Sequence, residues 1–187
     1  MNTKTKQVLN QIGSIFFFVL AGLLVLYILL EAFLPKVTIK VFQFKPYVVI
    51  TESMEPVINK DDLVIVTNPR VDNLKAGDII TFEADIDYNG TKEIVTHYIN
   101  SIVENDDGYT IRTNRYGSTI PDTWVLDEED VIGVYAFRIP KLGVFVNFIK
   151  SPFGITAIVV NLAVIIAIIY IVKTGKKEKQ KENKPEA

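Results

Sequence analysis

The sequence predicts a mainly β protein in which one antiparallel domain lies between an N-terminal and a C-terminal transmembrane helix. Residues 12–30 contain no charge, and residues 153–172 are interrupted mainly by Asn161. At a rise of about 1.5 Å per residue, each run can cross a hydrocarbon layer of roughly 30 Å. The third observation is a series of short β-type runs, separated by turn residues, between the two apolar segments.

The composition agrees with this division, because 49% of the 187 residues are hydrophobic. That fraction and the length suit one folded domain accompanied by membrane segments. We therefore divide the chain into an N-terminus (1–11), a first span (12–34), a β domain (35–152), a second span (153–172) and a Lys-rich tail (173–187).

The first apolar run has a second interpretation, a cleavable signal peptide. Its uninterrupted length exceeds the roughly 7–15 residues of such a segment, and residues 31–35 read EAFLP, a poor small-residue cleavage site. We favour a permanent membrane anchor.

The charges predict the orientation of the two spans. Lys4 and Lys6 precede the first span without an acid, and six lysines face three glutamates from Lys173 onward. Because lysine and arginine near a membrane favour the cytoplasmic side, both termini are expected in the cytoplasm. The β domain is then extracytoplasmic, and the protein is a two-span protein of the cell membrane.

Several kinds of chemistry are disfavoured. The chain contains no cysteine, so it has no disulfide and no thiol nucleophile. We find no metal-ligand cluster and no phosphate loop, and we expect no cofactor. Residues 35–152 hold 18 acidic and 12 basic side chains, a balance that repels nucleic acid.

The β domain begins after Pro35, which discourages a helical Leu34 and ends the first helix. Asn89-Gly90 favours a hairpin turn, and a turn at residues 106–108 follows. We predict a barrel or sandwich without a soluble helix, followed by a disordered tail. The predicted strands are 37–41, 47–50, 63–66, 79–82, 93–103, 109–113 and 131–139.

Ser53 is the first candidate for chemistry. It lies in a turn between two apolar runs, and Pro56 restricts the backbone of the residue before it. A hydroxyl in a fixed direction suits a nucleophile. The alternative is an ordinary turn residue, since serine and proline both favour turns.

His97 is the only histidine in the chain. A serine hydroxyl needs a base to become a nucleophile, and histidine, with a reference pKa of about 6.5, can accept and return a proton near pH 7. Strand alternation places Val95, His97 and Ile99 on one face. A lone histidine on a strand is also often a surface or core residue.

Six motifs in this order, SMEP, DLVIV, GDIITF, IVTHYI, PDTWVL and VIGVYAFRIPKLG, resemble signal peptidase I. The likeness covers roughly residues 25–150. It is to the Ser-His branch of that family, found in the endoplasmic reticulum, in archaea and in some Gram-positive bacteria. It implies membrane-bound removal of signal peptides from exported preproteins, with Ser53 as nucleophile and His97 as general base.

The sequence departs from the family pattern after the histidine. The family carries two aspartates in a stretch like TKGDxNxxxD, where this chain reads TNRYGSTIPD. The first aspartate is replaced by Tyr116, and the second corresponds to Asp122. One carboxylate suffices to orient a histidine, so we expect Asp122 to do so, although it could instead be a turn residue after Pro121.

A second departure is Glu52, where the family usually has a small residue before the serine. We expect its side chain to point to water, because a carboxylate facing inward would oppose developing negative charge. The backbone N–H of Ser53 remains one oxyanion donor; the second is not indicated by the sequence.

The substrate is expected to lie extended against a strand edge, where main-chain hydrogen bonds bind it. The expected partners are preprotein signal peptides and the lipid bilayer; the sequence leaves open whether an accessory membrane subunit takes part. The candidate edge consists of Tyr47, Val48, Val49, Ile50 and Thr51.

Two alternatives remain open. The other branch of the family uses a serine and a lysine, but Lys92 lies in a polar turn and would need desolvation to act as a base. The other is a membrane-anchored β module that binds or scaffolds exported proteins without cutting them. Convergence of Ser53, His97 and Asp122 within hydrogen-bond reach would favour the peptidase.

Overall fold

A computed structural model describes residues 3–106 and 108–182. Residues 1–2 and 183–187, parts of the predicted cytoplasmic ends, and Asp107 of the predicted turn lie outside the described residues. Two 3-10 turns, Val71–Asn73 and Glu128–Asp130, accompany the other elements. The helices and strands are α1 (Thr3–Phe33), α2 (Pro35–Phe42), β1 (Phe44–Val48), β2 (Leu63–Thr67), β3 (Ile79–Ala84), β4 (Glu93–Asn105), β5 (Gly108–Asn114), β6 (Leu126–Asp127), β7 (Val131–Ile139), α3 (Leu142–Lys150) and α4 (Pro152–Glu182).

The seven strands form one antiparallel sheet, which confirms the predicted fold class. Its order is β1-β2-β7-β3-β4-β5-β6, and every neighbouring pair is antiparallel. Within the described residues, the hydrogen-bonded order has two ends. The strands therefore form neither the two separate sheets of a sandwich nor a closed barrel.

Two hydrophobic clusters pack against this sheet. The first cluster centres on the buried Phe82 and extends along β3, β4 and β5. The second lies near β2 and includes Met54 and Ile58, which flank the serine-bearing turn. The first cluster contains Ile80, Phe82, Ala84, Ile99, Ile111, Leu126 and Val131, and the second contains Ile39, Met54, Ile58, Val64 and Val66.

The two predicted spans are long apolar helices. Residues 10–33 have a mean hydropathy of 2.7, and residues 152–174 have a mean hydropathy of 2.9. Neither apolar window is buried inside the protein. A core helix of a soluble protein would be covered by other elements, so both are candidate membrane spans.

The predicted strand at 37–41 is wrong, because this segment is helix α2. Pro35 takes the first turn of the helix, where its missing N–H costs nothing. The adjacent residues Thr38 and Ile39 are both buried, whereas an alternating strand would place them on opposite faces. Gln43 ends the helix in a left-handed conformation, and β1 follows.

The prediction that the β domain has no soluble helix is also wrong, because α3 follows β7. Apolar residues at 144, 145, 148 and 149 recur at helical spacing, but the run is short and adjoins the second span. Gly143 allows the close approach of α3 to the turn before β2. Its N–H donates to the Asp61 carbonyl at 2.9 Å, and a Cβ on Gly143 would lie 2.6 Å from that oxygen.

Helix α4 extends beyond the apolar span to Glu182, so the prediction of a disordered tail is wrong for residues 173–182. Lysine, glutamate and glutamine favour helices, and extending an existing helix avoids the cost of nucleation. The length of the apolar run, residues 153–172, did not by itself indicate that the helix continues into the tail.

Asp62 connects the serine-bearing turn to the end of β7. Its carboxylate is buried and accepts hydrogen bonds from the backbone N–H groups of Asn59 (2.9 Å) and Lys141 (3.1 Å), and from Arg138. Burial raises the pKa of Asp62, but the bonds from Arg138, Asn59 and Lys141 together outweigh it, so the net pKa is lowered. A lowered pKa means that this carboxylate stabilises the fold when charged.

We predict that Asp62→Asn lowers the free energy of unfolding at pH 7 by roughly 3 kcal/mol, because it replaces the buried charge that accepts three hydrogen bonds by a neutral amide. In the wild type this contribution is present above the unfolded-state pKa of about 3.9 and is lost as the pH falls through the lower folded-state pKa. The variant should lack that part of the pH dependence. Thermal unfolding followed by Trp124 fluorescence measures both effects.

Asp61→Asn is the matched control. Asp61 lies next to Asp62 but is more exposed, and its contact with Lys141 is 3.9 Å long. Loss of the Asp61 charge should change the free energy of unfolding by less than about 0.5 kcal/mol. Equal melting temperatures for the two variants would contradict a structural role for Asp62.

Candidate active site

Ser53 lies in a turn whose ends are fixed by packing. Met54 and Ile58 are 2% and 0% exposed, and the Ile58 N–H donates to the Met54 carbonyl at 3.0 Å. The Glu55 N–H donates to the Glu52 carbonyl at 3.1 Å. These contacts hold the backbone of the turn around Ser53 in one conformation.

His97 lies on β4, opposite Ile80 of β3, and is 5% exposed. Val95 and Ile99, two residues away on either side, pack with the first hydrophobic cluster. The imidazole ring meets the edge of Phe82 and stacks on Trp124, with ring centroids 6.3 Å and 6.0 Å away. Two aromatic neighbours therefore restrict the rotation of the histidine ring.

Asp122 lies on the loop between β5 and β6. Its backbone N–H donates to the Thr113 carbonyl at 2.7 Å. Its Oδ2 lies 2.8 Å from His97 Nδ1 and accepts a hydrogen bond of 2.7 Å from the Thr113 hydroxyl. The loop thus brings a carboxylate to the far side of the imidazole from Ser53.

The three predicted residues converge into one hydrogen-bonded chain. Ser53 Oγ lies 3.1 Å from His97 Nε2, and His97 Nδ1 lies 2.8 Å from Asp122. A charged carboxylate only accepts hydrogen bonds, so Nδ1 carries the ring proton and Nε2 presents its lone pair to the serine hydroxyl. This arrangement can remove a proton from Ser53 as it attacks an acyl carbon.

Thr51 adds a hydroxyl that the sequence had not indicated as a catalytic group. Its Oγ1 lies 3.3 Å from Ser53 Oγ. Because the single proton of Ser53 points to His97, Thr51 donates in this bond. A hydroxyl two residues before the serine could have been suspected from the spacing, but its direction depends on the backbone of the turn.

A cleft of about 590 Å³ opens beside Ser53 and His97. All five predicted substrate-binding residues, Tyr47 to Thr51, lie along one wall, and the first residues of β4, Glu93 to Thr96, form another. Most of the remaining lining is apolar: Met54, Ile58, Ile86 and Trp124. The apolar part of this lining suits a ligand that carries apolar side chains.

Two strand edges border the cleft. β1 is the first strand of the sheet and, among the described residues, pairs only with β2. Residues 93–97 of β4 pair with β3 on one side, whereas the pairing with β5 begins at Tyr98. The sequence indicated the β1 edge but not the β4 edge, because strand neighbours depend on the register of the whole sheet.

The residues that depart from the family pattern lie around the serine without entering the hydrogen-bonded chain. Glu52 is exposed, as expected. The backbone N–H of Tyr116 donates to the Ser53 carbonyl at 3.1 Å, and its ring lies against Tyr98. Tyr116 therefore helps to hold the serine through its backbone, although it supplies no carboxylate.

Lys92, the alternative base, is not placed for that role. Its side chain is 56% exposed and pairs with Asp130. A hydrated, paired ammonium does not give up its proton readily. Within residues 3–106 and 108–182, no group of three or more acidic or histidine side chains is arranged to hold a metal ion.

The family model for signal peptidase, peptidase S26, matches residues 17–108. The match includes Ser53 and His97 and ends before Asp122. The comparison with curated proteins found no match.

Proposed function

Because the chain belongs to the signal peptidase family, we propose that it is a membrane-bound serine endopeptidase that removes N-terminal signal peptides from exported preproteins. The hydrogen-bonded chain from Ser53 through His97 to Asp122 supports this most directly. It also favours the Ser-His mechanism over a serine–lysine pair, and a peptidase over a binding module that does not cut.

The reaction follows from the positions of the protons. His97 Nε2 takes the hydroxyl proton while Ser53 Oγ bonds to the carbonyl carbon of the scissile peptide. The imidazolium then gives that proton to the leaving amine, and the C–N bond breaks to leave an acyl-enzyme. His97 next removes a proton from water as the water attacks the ester carbonyl carbon. The imidazolium returns that proton to Ser53 Oγ as the ester C–O bond breaks, and the free serine is restored.

Asp122 stabilises the imidazolium that forms in each half of the reaction. Its carboxylate also holds the proton on Nδ1, so the Nε2 lone pair faces the serine. The stacking of His97 on Trp124 and the edge contact with Phe82 keep the ring in that plane.

The negative charge on the carbonyl oxygen requires donors close to Ser53. The Ser53 backbone N–H is one, and we assign the Thr51 hydroxyl as the second, because it is already directed toward Ser53 Oγ at 3.3 Å. A hydroxyl that moves from the serine oxygen to the new oxyanion would strengthen its interaction in the transition state.

The signal peptide is expected to lie between the β1 and β4 edges as an added strand. Main-chain hydrogen bonds from residues 47–51 and 93–97 would fix its register, and alternate side chains would enter the apolar cleft. The resemblance to the family implies a small residue before the cleaved bond. The substrates are then chains that emerge from a membrane in extended form.

We further propose that both termini are cytoplasmic and that residues 35–152 lie outside the membrane on its far side. One candidate span precedes this domain in the sequence and the other follows it. Lysines flank the spans at the N-terminus and in the tail, as expected for cytoplasmic segments.

Replacing either partner of the proton transfer should abolish cleavage. Ser53→Ala removes the nucleophile and His97→Ala removes the base, and each should lower the cleavage rate of a preprotein at least about 1,000-fold. The measurement is processing of a labelled preprotein by the full chain in lipid vesicles. Lys92→Met is the control and should remain within twofold of wild type; full processing by either active-site variant would refute these roles.

Thr51→Val should lower kcat about 100-fold and leave KM nearly unchanged, because it removes a donor used mainly in the transition state. Thr51→Ser keeps the hydroxyl and should recover most of the rate. Steady-state kinetics on a signal-peptide substrate tests this. An increase in KM alone, or a Thr51→Ser variant that does not recover the rate, would show that Thr51 has another role.

The absence of cysteine allows a direct test of topology. In intact cells, a membrane-impermeant maleimide should label Thr91→Cys in the β domain but not Thr5→Cys, and lysis should make both reactive. Both positions are exposed. Labelling of Thr5→Cys before lysis would contradict the proposed orientation.

A further inference from the structure

The position of Asp122 depends on side chains beyond His97. Asp122 lies on a loop, without strand pairing of its own. The Arg112 guanidinium contacts the backbone carbonyls of Asp122, Thr123 and Trp124 at 3.3, 3.4 and 3.3 Å. These bonds hold the loop backbone, but they do not determine the direction of the carboxylate.

The hydroxyl of Thr113 contacts the carboxylate directly. Thr113 is fully buried, and its Oγ1 lies 2.7 Å from Asp122 Oδ2, the same oxygen that faces His97. A hydrogen bond to a charged acceptor is stronger than one between neutral groups. Thr113 can therefore hold this oxygen on the Nδ1 side of the imidazole.

Trp124 determines the direction of the Thr113 proton. The indole Nε1–H lies 2.9 Å from Thr113 Oγ1, and an indole nitrogen can only donate. Thr113 must accept this bond, so its own proton is free to point at Asp122. Both hydrogen bonds are therefore donated in the same direction: Trp124 donates to Thr113, and Thr113 donates to Asp122.

We propose that Thr113 and Trp124 are positioning residues, which hold Asp122 so that His97 keeps its proton on Nδ1 and presents Nε2 to Ser53. This inference rests on the proposed function for its catalytic consequence. It also accounts for a site in which Tyr116 stands where the family has a second aspartate. A buried hydroxyl and an indole then constrain the single carboxylate that contacts His97.

The composition makes the proposal directly measurable, because the chain contains one histidine and one tryptophan. Histidine labelled with ¹⁵N gives one pair of ring signals, whose shifts report which nitrogen carries the proton. We expect the full wild-type chain in detergent micelles, at a pH where the ring is neutral, to show the Nδ1–H form. In Thr113→Val the fraction of this form should fall.

The same variants should differ in cleavage. Thr113→Val should lower kcat about tenfold with KM within twofold, since it removes a hydrogen bond to a charged group without touching the cleft. Thr113→Ser should restore both the kcat and the Nδ1–H form. Trp124→Phe keeps an aromatic ring beside His97 but removes the N–H, so the Nδ1–H fraction should fall by less than in Thr113→Val. Because Trp124 also lines the cleft, this variant is judged by the ring signals alone.

A double variant tests whether Thr113 acts through Asp122. If it does, Thr113→Val should cause no further loss of kcat in an Asp122→Asn background. Thr110→Val, on the same strand, is the matched control and should leave both readouts unchanged. Its hydroxyl contacts Asn105 at 2.9 Å, away from the site.

The outcomes separate this inference from the proposed function, because the ring signals need no substrate. If the wild type cleaves no signal peptide but the Nδ1–H fraction responds as expected, the proposed function fails and the positioning role stands. If the wild type cleaves and Thr113→Val retains its kcat and ring signals, the positioning role is overturned. A lower kcat with unchanged ring signals also overturns it. If Thr113→Val does not fold, the test uses Thr113→Ser, whose ring signals should match the wild type, and Trp124→Phe, whose ring signals should differ. Ring signals in Trp124→Phe that match the wild type overturn the positioning role.

Discussion

The hydrogen bond between Ser53 and His97 joins two parts of the chain that pack in different hydrophobic clusters. Met54 and Ile58 anchor the serine turn in the second cluster, whereas Phe82 and Trp124 hold the histidine beside the first. The 3.1 Å distance between Oγ and Nε2 therefore depends on how these clusters meet across the sheet. The single-sheet order, which places β7 between β2 and β3, connects the two halves.

A second constraint comes from two carboxylates, one buried and one partly buried, that connect distant segments. Asp62 joins the serine turn to the end of β7, and Asp122 joins the β5–β6 loop to β4. Both carboxylates are bonded by groups from elsewhere in the chain, which offsets the cost of taking them out of water. The fold thus uses the buried Asp62 to hold the serine turn and the partly buried Asp122 to hold the His97 ring.

The sequence indicated most of the strands, both apolar helices and the residues of the hydrogen-bonded chain. Ser53 and His97 stood out because one was a constrained hydroxyl and the other the sole imidazole. Helix α2 was mistaken for a strand, because Val37, Ile39 and Val41 alternate with polar residues. In the structure Thr38 is buried next to Ile39, as a helix allows and an alternating strand does not. Thr113 and Trp124 could not be assigned from sequence, since their effect depends on a loop geometry that no local spacing reveals.

The family match includes Ser53 and His97 but ends before the loop that carries Asp122. That segment is also where the sequence departs from the family pattern, with Tyr116 in place of an acid. The contacts of Asp122 with Thr113, and of Thr113 with Trp124, show how one carboxylate can be held firmly without a second. We therefore expect the activity to depend on Thr113 and Trp124, which lie beyond the matched residues.

The most direct test of the central claim places a thiol at the nucleophile position. Because the chain has no cysteine, Ser53→Cys contains a single thiol, and its alkylation rate at pH 7 reports proton transfer to the neighbouring imidazole. We expect alkylation roughly ten times faster than in Ser53→Cys/His97→Ala, since an adjacent imidazolium stabilises the thiolate. Equal rates in the two variants would show that no proton passes between positions 53 and 97.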